Sequence, residues 1–546
     1  MSGNGLKRRA NQLKHKPWAH MIIHMDSPNA PSADDACYLA LKARDARFDG
    51  CFFTGVTSTG IYCRPVCRVR TPKRENCRFF SLAAQAERAG FRPCLRCRPE
   101  LAPRQLAPGM DHSKAWSMQD ASGILASQAA SLMDAPTNPG SPVLTVQRLA
   151  LRLGISDRHL RRIFESQFGV SPLQYLQTRR LLSAKQLLTD TSLPVTRVAA
   201  LSGFASVRGF NTAFATHYGL NPTQLRRSHT PHPAREAQTG IHVKLAYRPP
   251  YDAAAMLQFF DTRQIAGLEV VHMDTHSMCL GKTVALQNGD QRVSGWLLAR
   301  FDEANLRVDL QVSDSLGEVL PLVISRVRAL LDLDADPLAI NEVLHVHFPH
   351  GDGLRVPGTL DAFELAVRAV LGQQITVAAA RTLSNRLVAS FGEPVATPVA
   401  GLNRLFPTPA ALAAASADAL GALGILKQRQ AAIQALGLAV SNGQLCLDAG
   451  VDVGATLARL QTLPGIGDWT AHYIAMRALR WPDAFPASDV ALHRALGVLG
   501  TPQPAKAALA ASHAWQPWRS YAVVRAWATL PVTPTPQASF KKLQKQ

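Results

Sequence analysis

Apolar positions recur along this chain in two different periods, and the periods divide it. Leu160, Phe164 and Phe168 form an i, i+4, i+8 stripe closed by Gly169 and Pro172, and the stripe returns 50 residues later as Phe210, Phe214, Tyr218, Gly219 and Pro222. Such a stripe is one buried face of a helix, stopped by a glycine and then a proline. Each copy follows a short apolar helix and a glycine turn, Val146 to Leu153 before Gly154 and Val195 to Leu201 before Gly203. A longer helix over about Pro172 to Leu188 joins them, so the pattern predicts two helix-turn-helix units.

Between Gly267 and Ser313 the period becomes two, as in Leu306, Val308, Leu310 and Val312, with a hairpin signal at Asn288-Gly289. From about Leu354 the chain is Ala-rich and helical. Within this stretch, Leu463-Pro464-Gly465-Ile466-Gly467-Asp468-Trp469 places two glycines around one apolar residue. That spacing predicts a tight turn between helices, with the first N–H groups of the second helix facing outward as an anion site.

Asp489 stands before the apolar-periodic segment Val490 to Leu496. Position alone leaves two readings open, an ordinary helix N-cap or a carboxylate at the mouth of a helix beside the hairpin. Trp469 and Tyr473, four apart, share a helix face, and Trp527 comes from the final helix. Core packing or an aromatic cleft would both use them.

Composition narrows the partners. The 546 residues with 47% hydrophobic content suffice for several ordinary cores, and a net charge of +20 implies a polyanion. No apolar run approaches the roughly 18 residues of a membrane span. Met21-Ile22-Ile23 is too short for a secretory segment, so a cytoplasmic, nucleoid-associated protein is expected, with no membrane partner. Seven of the nine cysteines crowd between Cys37 and Cys97, which fits metal better than a disulfide framework.

Cys63 and Cys67 form one close pair, and Cys94 and Cys97 another. Two such pairs around a folded insert close a four-sulfur site on one zinc ion; a purely structural knot is the plain alternative. Residues 61–104 also hold eleven Arg/Lys against three acids, which embeds the cluster in a DNA-seeking surface. Four thiolates on zinc carry about −2, and a methyl group on one sulfur would leave about −1, weakening repulsion from phosphate. Spacing does not say which sulfur reacts. Cys37, Cys51, Cys77, Cys279 and Cys446 fall outside the pattern and read as buried, apolar-like cysteines.

From 145 to 227 there are twelve Arg/Lys against three acids. On the faces opposite the stripes, Arg158, His159, Arg161 and Arg162 in the first unit, and Arg208, Asn211 and Thr212 in the second, are the expected DNA contacts, some to phosphate alone.

Three resemblances cover most of the chain. Thr59-Gly60-Ile61-Tyr62-Cys63-Arg64-Pro65 and Phe91-Arg92-Pro93-Cys94-Leu95-Arg96-Cys97 resemble the N-terminal domain of the Ada methylation-response proteins. That resemblance implies Cys63 as acceptor of a methyl group from a DNA methylphosphotriester, with Cys63, Cys67, Cys94 and Cys97 binding Zn2+. The duplicated stripes resemble an AraC-type double helix-turn-helix that enters successive major grooves. Tyr247-Arg248-Pro249-Pro250-Tyr251, Asp361-Ala362-Phe363, Leu371-Gly372-Gln373 and Trp518-Arg519-Ser520-Tyr521, with the hairpin, resemble the AlkA-type 3-methyladenine DNA glycosylases of the helix-hairpin-helix superfamily.

In that family the aspartate matching Asp489 is catalytic, so the resemblance implies a carboxylate that stabilises a positive sugar beside an aromatic cleft of Trp469, Tyr473 and Trp527. Family members that also cut the strand carry a lysine two residues after the second hairpin glycine; Trp469 stands there, which implies a monofunctional enzyme without lyase activity. The loop that wedges into the duplex matches Leu371 to Ile375, where the family's apolar wedge position is Gln374; a polar plug or Ile375 would serve instead. The glycosylase chemistry needs no cofactor.

The expected fold is multidomain and mainly α with small α+β parts. It comprises a leader (1–36), a zinc-bound α/β module (37–104), a linker (105–142), a double helix-turn-helix (143–228), a joint (229–241), an α+β subdomain (242–350), an all-α helix-hairpin-helix glycosylase (351–533) and a tail (534–546). The expected function is alkylation repair and adaptive-response regulation on double-stranded DNA, damaged and promoter. RNA polymerase is a candidate partner and a monomer the expected state. The alternative is a zinc-stabilised AraC-type transcription factor whose glycosylase part only binds DNA.

Overall fold

The computed structural model describes residues 32–104, 118–134, 144–228, 240–274, 277–289, 291–448 and 451–531. Residues 1–31, 105–117, 135–143, 229–239 and 532–546, which take in most of the leader (1–36), the linkers (105–142 and 229–241) and the tail (534–546) expected from sequence, lie outside the described residues.

Residues 33–36, read from sequence as leader, open the helix Ala33–Ala43, because the Ser32 side chain accepts from Asp35 N and two acids occupy the first turn. This helix and Ala83–Arg88 pack on a four-stranded sheet of order β3-β1-β2-β4, made by Phe53–Val56 (β1), Ile61–Cys63 (β2), Cys77–Phe80 (β3) and Arg92–Pro93 (β4). β2 pairs in parallel with β4, which brings the end of β2, where Cys63 lies, beside the segment that leads to Cys94.

The two helix-turn-helix units repeat in their caps as well as their stripes. Ser156 and Ser206 each accept an N–H from the first turn of Asp157–Phe168 and Val207–Tyr218, and Gly169 and Gly219 end those helices with φ near +65° and +67°. The joining helix runs over Pro172–Asp190. Part of the predicted linker is structural: the helix Met118–Asp134 packs Ala126, Ala129, Ala130 and Met133 against Leu149, Leu160, Ile163 and Phe164. Its Ala-rich composition, read as linker, is the small-residue face that this packing uses.

Next come Ile241–Ala246 (β5), Glu269–Asp274 (β6), Ser277–Asn288 (β7), Gln291–Asp302 (β8) and Arg307–Val312 (β9), forming an antiparallel sheet of order β5-β9-β8-β7-β6. β7 and β8 meet at Asn288 and Gln291, as the Asn-Gly signal predicts. Val308, Leu310 and Val312 are buried, whereas Leu306 precedes the strand with φ +51°. The second helix-turn-helix unit shares the core of this sheet, since Phe210, Phe214 and Tyr218 cluster with Val243, Leu245 and Leu316.

The helical part follows, built on two apolar clusters, one around Phe363, Val367 and Leu436 and one around Ala475, Leu492 and Trp515. No helix among the described residues is long and apolar enough to cross a membrane.

Buried cations join the parts. Lys185, fully buried on the Pro172–Asp190 helix, reaches Glu100 at 2.6 Å and the Cys94 carbonyl at 3.1 Å. Arg98 pairs with Asp190 at 2.7 Å. Arg248, 1% exposed, donates Nε to the Asp49 carbonyl (2.8 Å), Nη1 to those of Asp334 and Ala335 (2.9 and 3.0 Å) and Nη2 to those of Pro103 and Arg104 (3.2 and 2.9 Å). Planar guanidinium with five donors suits such a junction of carbonyls.

Candidate active site and metal centre

The hairpin connects the helices Val453–Gln461 and Asp468–Arg477. Its two glycines differ in what demands them. Gly465 has φ +74°, and a Cβ there would lie 3.2 Å from Ala432 Cβ, so backbone and packing both require glycine. Gly467 is extended, and a Cβ on it would meet nothing within 4 Å. The fold itself therefore does not need glycine at 467. No side chain caps the first turn of Asp468–Arg477, in keeping with an anion seat there.

Along that helix Trp469 and Tyr473 stack, with ring centroids 5.2 Å apart and planes 14° apart. Trp527, on Arg519–Ala528, places its ring 6.4 Å from Tyr473 at 44°. Asp489 joins the three. It is both N-cap and cleft residue: Oδ1 accepts from Leu492 N (2.6 Å) and Trp527 Nε1 (3.1 Å), and Oδ2 from Trp469 Nε1 (2.9 Å). Its loop is pinned by Phe485 N donating to His472 Nδ1 (3.3 Å) and His493 Nε2 donating to the Ala487 carbonyl (2.7 Å).

Three residues that sequence reading missed back this cleft. Arg477 Nη1 donates to Tyr473 Oη at 2.7 Å, while its guanidinium lies 4.7 Å from the ring centroid of half-buried Phe259. Arg263 covers the same ring at 3.8 Å. Burial pushes the Tyr473 phenol up, but Arg477 and Arg263 outweigh it and hold the phenol below the ordinary tyrosine value. Nothing in the local pattern of Phe259 or Arg263 marks them, because they come from the helix Ala253–Thr262 and its end, far from the hairpin in sequence.

The loop after Ala362–Leu371 separates the two wedge candidates. Gln374 is exposed with φ +54°, a left-handed conformation uncommon outside glycine, whereas Ile375 packs against the helical core.

In the N-terminal α/β module, the Sγ atoms of Cys63, Cys67, Cys94 and Cys97 all lie within 4.8 Å of one another. Tetrahedral Zn–S bonds of about 2.3 Å require S···S separations of about 3.8 Å, and the all-sulfur donor set is one zinc prefers, so the residues fit the ion. Arg64 N donates to Cys97 Sγ at 3.3 Å, and the Arg64 guanidinium, buried, forks onto Asp49. No other such metal cluster occurs among the described residues.

Three of the eleven basic residues expected on a DNA-facing surface turn inward instead: Arg64 to Asp49, Arg98 to Glu100 and Asp190, and Arg104 to the Asp134 carbonyl. Arg68, Arg70, Lys73, Arg78 and Arg96 are exposed. Cys37, Cys77 and Cys279 are buried and Cys51 half-buried, but Cys446 is exposed, against the expectation of a buried cysteine. Its segment follows the helix Lys427–Ser441, and only alternate residues, Leu445 and Leu447, face the core.

In the helix-turn-helix units, Arg158, Arg161, Arg162, Arg208, Asn211 and Thr212 are exposed and His159 half-buried. Arg161 forks onto Asp157 at 3.1 Å, and Arg162 contacts His159 Nδ1 at 3.1 Å.

Family models match four successive stretches: the metal binding domain of Ada (36–100), a helix-turn-helix domain (149–228), the AlkA N-terminal domain (242–361) and the HhH-GPD superfamily of base excision DNA repair proteins (367–520). The four-cysteine cluster is accordingly a Zn2+ site. The chain is similar to a probable bifunctional transcriptional activator/DNA repair enzyme AlkA of Mycobacterium tuberculosis, with 36% identity across 91% of this chain and 96% of that one. It is similar also to DNA-3-methyladenine glycosylase 2 of Escherichia coli, 34% identical over 52% of this chain and 96% of the other. A third relative is the bifunctional transcriptional activator/DNA repair enzyme AdaA of Bacillus subtilis, 30% identical over 37% and 88%. With an Ada metal-binding module, a helix-turn-helix module and a helix-hairpin-helix repair module in one polypeptide, the chain belongs to the family of AlkA-type bifunctional transcriptional activator/DNA repair enzymes.

Proposed function

We propose that this protein repairs and reports alkylation damage: a monofunctional glycosylase for alkylated purines of the 3-methyladenine kind, a methyl acceptor for DNA methylphosphotriesters, and a promoter-binding regulator. The observation that carries the glycosylase reading is the Asp489 carboxylate, held by three N–H donors beside the rings of Trp469, Tyr473 and Trp527.

The flipped base enters the aromatic cleft, where electron-rich rings attract a cationic alkylpurine by roughly 0.5 to 2 kcal/mol per contact. As the C1′–N bond lengthens, its electron pair goes to the base and positive charge grows on the sugar. Asp489 stabilises that charge and orients the water whose oxygen bonds to C1′; the water's spare proton leaves to solvent. Gly465 and Gly467 bring the hairpin against a backbone phosphate, and Gln374 fills the gap left by the base.

In the sensor, Cys63 Sγ attacks the methyl carbon of the triester. The S–C bond forms as the C–O bond breaks, and the electron pair leaves on the phosphodiester oxygen. Cys63, Cys67, Cys94 and Cys97 would hold Zn2+, whose charge would keep their sulfurs as thiolates. Arg158, His159, Arg161, Arg162, Arg208, Asn211 and Thr212 contact promoter DNA, with RNA polymerase as partner and the monomer, in the cytoplasm, as working state.

The test is base release from methylated duplex by the full-length protein, with released bases identified and nicking scored, beside Asp489→Asn. Methylpurine release without nicking, lost in the variant, is expected. Near-normal release by Asp489→Asn would sink the assignment.

A further inference from the structure

The loop carrying Gln374 is tied down on both sides by bonds that the reaction scheme does not use. Gln373, half-buried, donates both hydrogens of Nε2, one to the Gly465 carbonyl at 2.8 Å and one to Thr470 Oγ1 at 2.8 Å. A carbonyl only accepts, so it must be the nitrogen end of the amide that faces the hairpin. The Gln373 carbonyl in turn accepts from Arg429 Nη2 of the helix Lys427–Ser441. On the far side of Gln374, Ile375 packs into the core, and Thr376 caps the next helix by accepting from Ala379 N at 3.2 Å.

Gln374 is thereby left exposed, between two fixed neighbours, with φ +54°. A non-glycine residue keeps such a conformation only where its surroundings over-determine it. The surroundings on one side are the hairpin itself. Gly465 lies in the tight turn and Thr470 in the first turn of Asp468–Arg477, the same turn that no side chain caps.

We propose that Gln373 is a positioning residue, a strut that sets the pose of Gln374 from the seating of the hairpin on the DNA backbone, so that grip and base opening act together. This rests on reading Gln374 as the wedge. Loss of the strut leaves the hairpin free to hold phosphate, and it releases the left-handed backbone at 374. Binding and base opening then come apart.

The experiment uses the full-length protein and a duplex carrying an abasic-site analogue beside 2-aminopurine, whose fluorescence rises when it is unstacked. Three variants are compared with wild type: Gln373→Ala, Gln373→Glu, which has the shape of glutamine but no N–H to give Gly465, and Gln374→Ala. Gln373→Glu and Gln373→Ala are expected to bind this duplex with near wild-type affinity and to stay folded at the assay temperature. They should lose most of the fluorescence rise and show a fall on the order of 100-fold in single-turnover release of methylpurines. A wild-type fluorescence rise in Gln373→Glu would overturn the strut, whether or not the alanine variant folds. A wild-type rise in Gln374→Ala would instead remove the wedge reading beneath it, and the two failures are thus told apart.

Discussion

Trp527 donates its indole N–H to Asp489 Oδ1 at 3.1 Å, while Trp469 takes the other carboxylate oxygen at 2.9 Å. Aromatic residues offered by sequence as a base-stacking surface thus also aim the carboxylate. The two roles separate in Trp527→Phe, which keeps a ring and deletes the donor. A bond from N–H to a charged acceptor is worth about 1.5–3 kcal/mol, so the chemical step should slow by roughly 10- to 100-fold while apparent substrate affinity stays close to wild type. Single-turnover release against protein concentration measures both. A large loss of affinity with an unchanged rate would assign Trp527 to stacking alone.

The proposed methyl transfer makes a similar demand on the cysteines. Burial pushes the thiols of Cys37 and Cys51 up to about 12 and raises that of Cys77, which leaves them weak nucleophiles at neutral pH. Cys63→Ala should therefore take up no labelled methyl from methylated DNA, whereas Cys51→Ala and Cys77→Ala should match wild type. Zinc content of each protein is measured alongside. Equal uptake by Cys63→Ala would move the acceptor elsewhere.

What sequence discloses and what it hides follow from distance along the chain. The helix-turn-helix repeat is legible because stripe and terminal glycine are both local, and each recurs. Asp489 is legible as a cap for the same reason, and its bond to Leu492 N spans three residues. Its indole donors come from 20 and 38 residues away, and only the family resemblance suggested that they meet. Arg248 is opaque: its carbonyl partners include one 199 residues distant, and a guanidinium seeking carbonyls leaves no trace in the partners' side chains. The helix Met118–Asp134 escapes as well, since alanines that pack a helix and alanines that fill a linker read alike.

Where the helix Ala362–Leu371 meets the sheet, a buried charge cluster sets an acid limit. Lys282 lies 2.6 Å from Glu269 and 2.7 Å from Glu364, and Arg368 lies 2.9 Å from both carboxylates. Burial alone would raise Glu269, but Arg368 and Lys282 outweigh it and hold it at about 2, below its ordinary 4.5. A carboxylate depressed in the fold stabilises it above the ordinary value, and that contribution drains away as pH falls from 4.5 toward 2. Melting temperature should therefore fall steeply across that window. Lys282→Met, which leaves two buried carboxylates to share one cation, should cost about 3–5 kcal/mol at neutral pH. Its melting temperature should also depend less on pH in the same window, and an unchanged slope would show that the cluster does not set the limit.

The junction at Arg248 ties the metal-binding module to the repair part by hydrogen bonds. Arg64, next to Cys63, forks onto Asp49; the Asp49 carbonyl accepts from Arg248; and Arg248 continues to the carbonyls of Asp334 and Ala335, beside the Arg328–Asp334 pair. Stripping zinc frees the sulfurs that brace Arg64, and the disturbance should reach the glycosylase as a lower midpoint for heat inactivation of base release. Arg248→Ala leaves five carbonyls without their donor and should cost about 3 kcal/mol or more. In that variant the zinc-module bond to Asp49 no longer exists, so chelation should shift the inactivation midpoint much less than in wild type. A chelation shift of equal size in both proteins would mean that the two domains communicate by another route, with the buried Lys185 contact to Glu100 and the Cys94 carbonyl the next to remove.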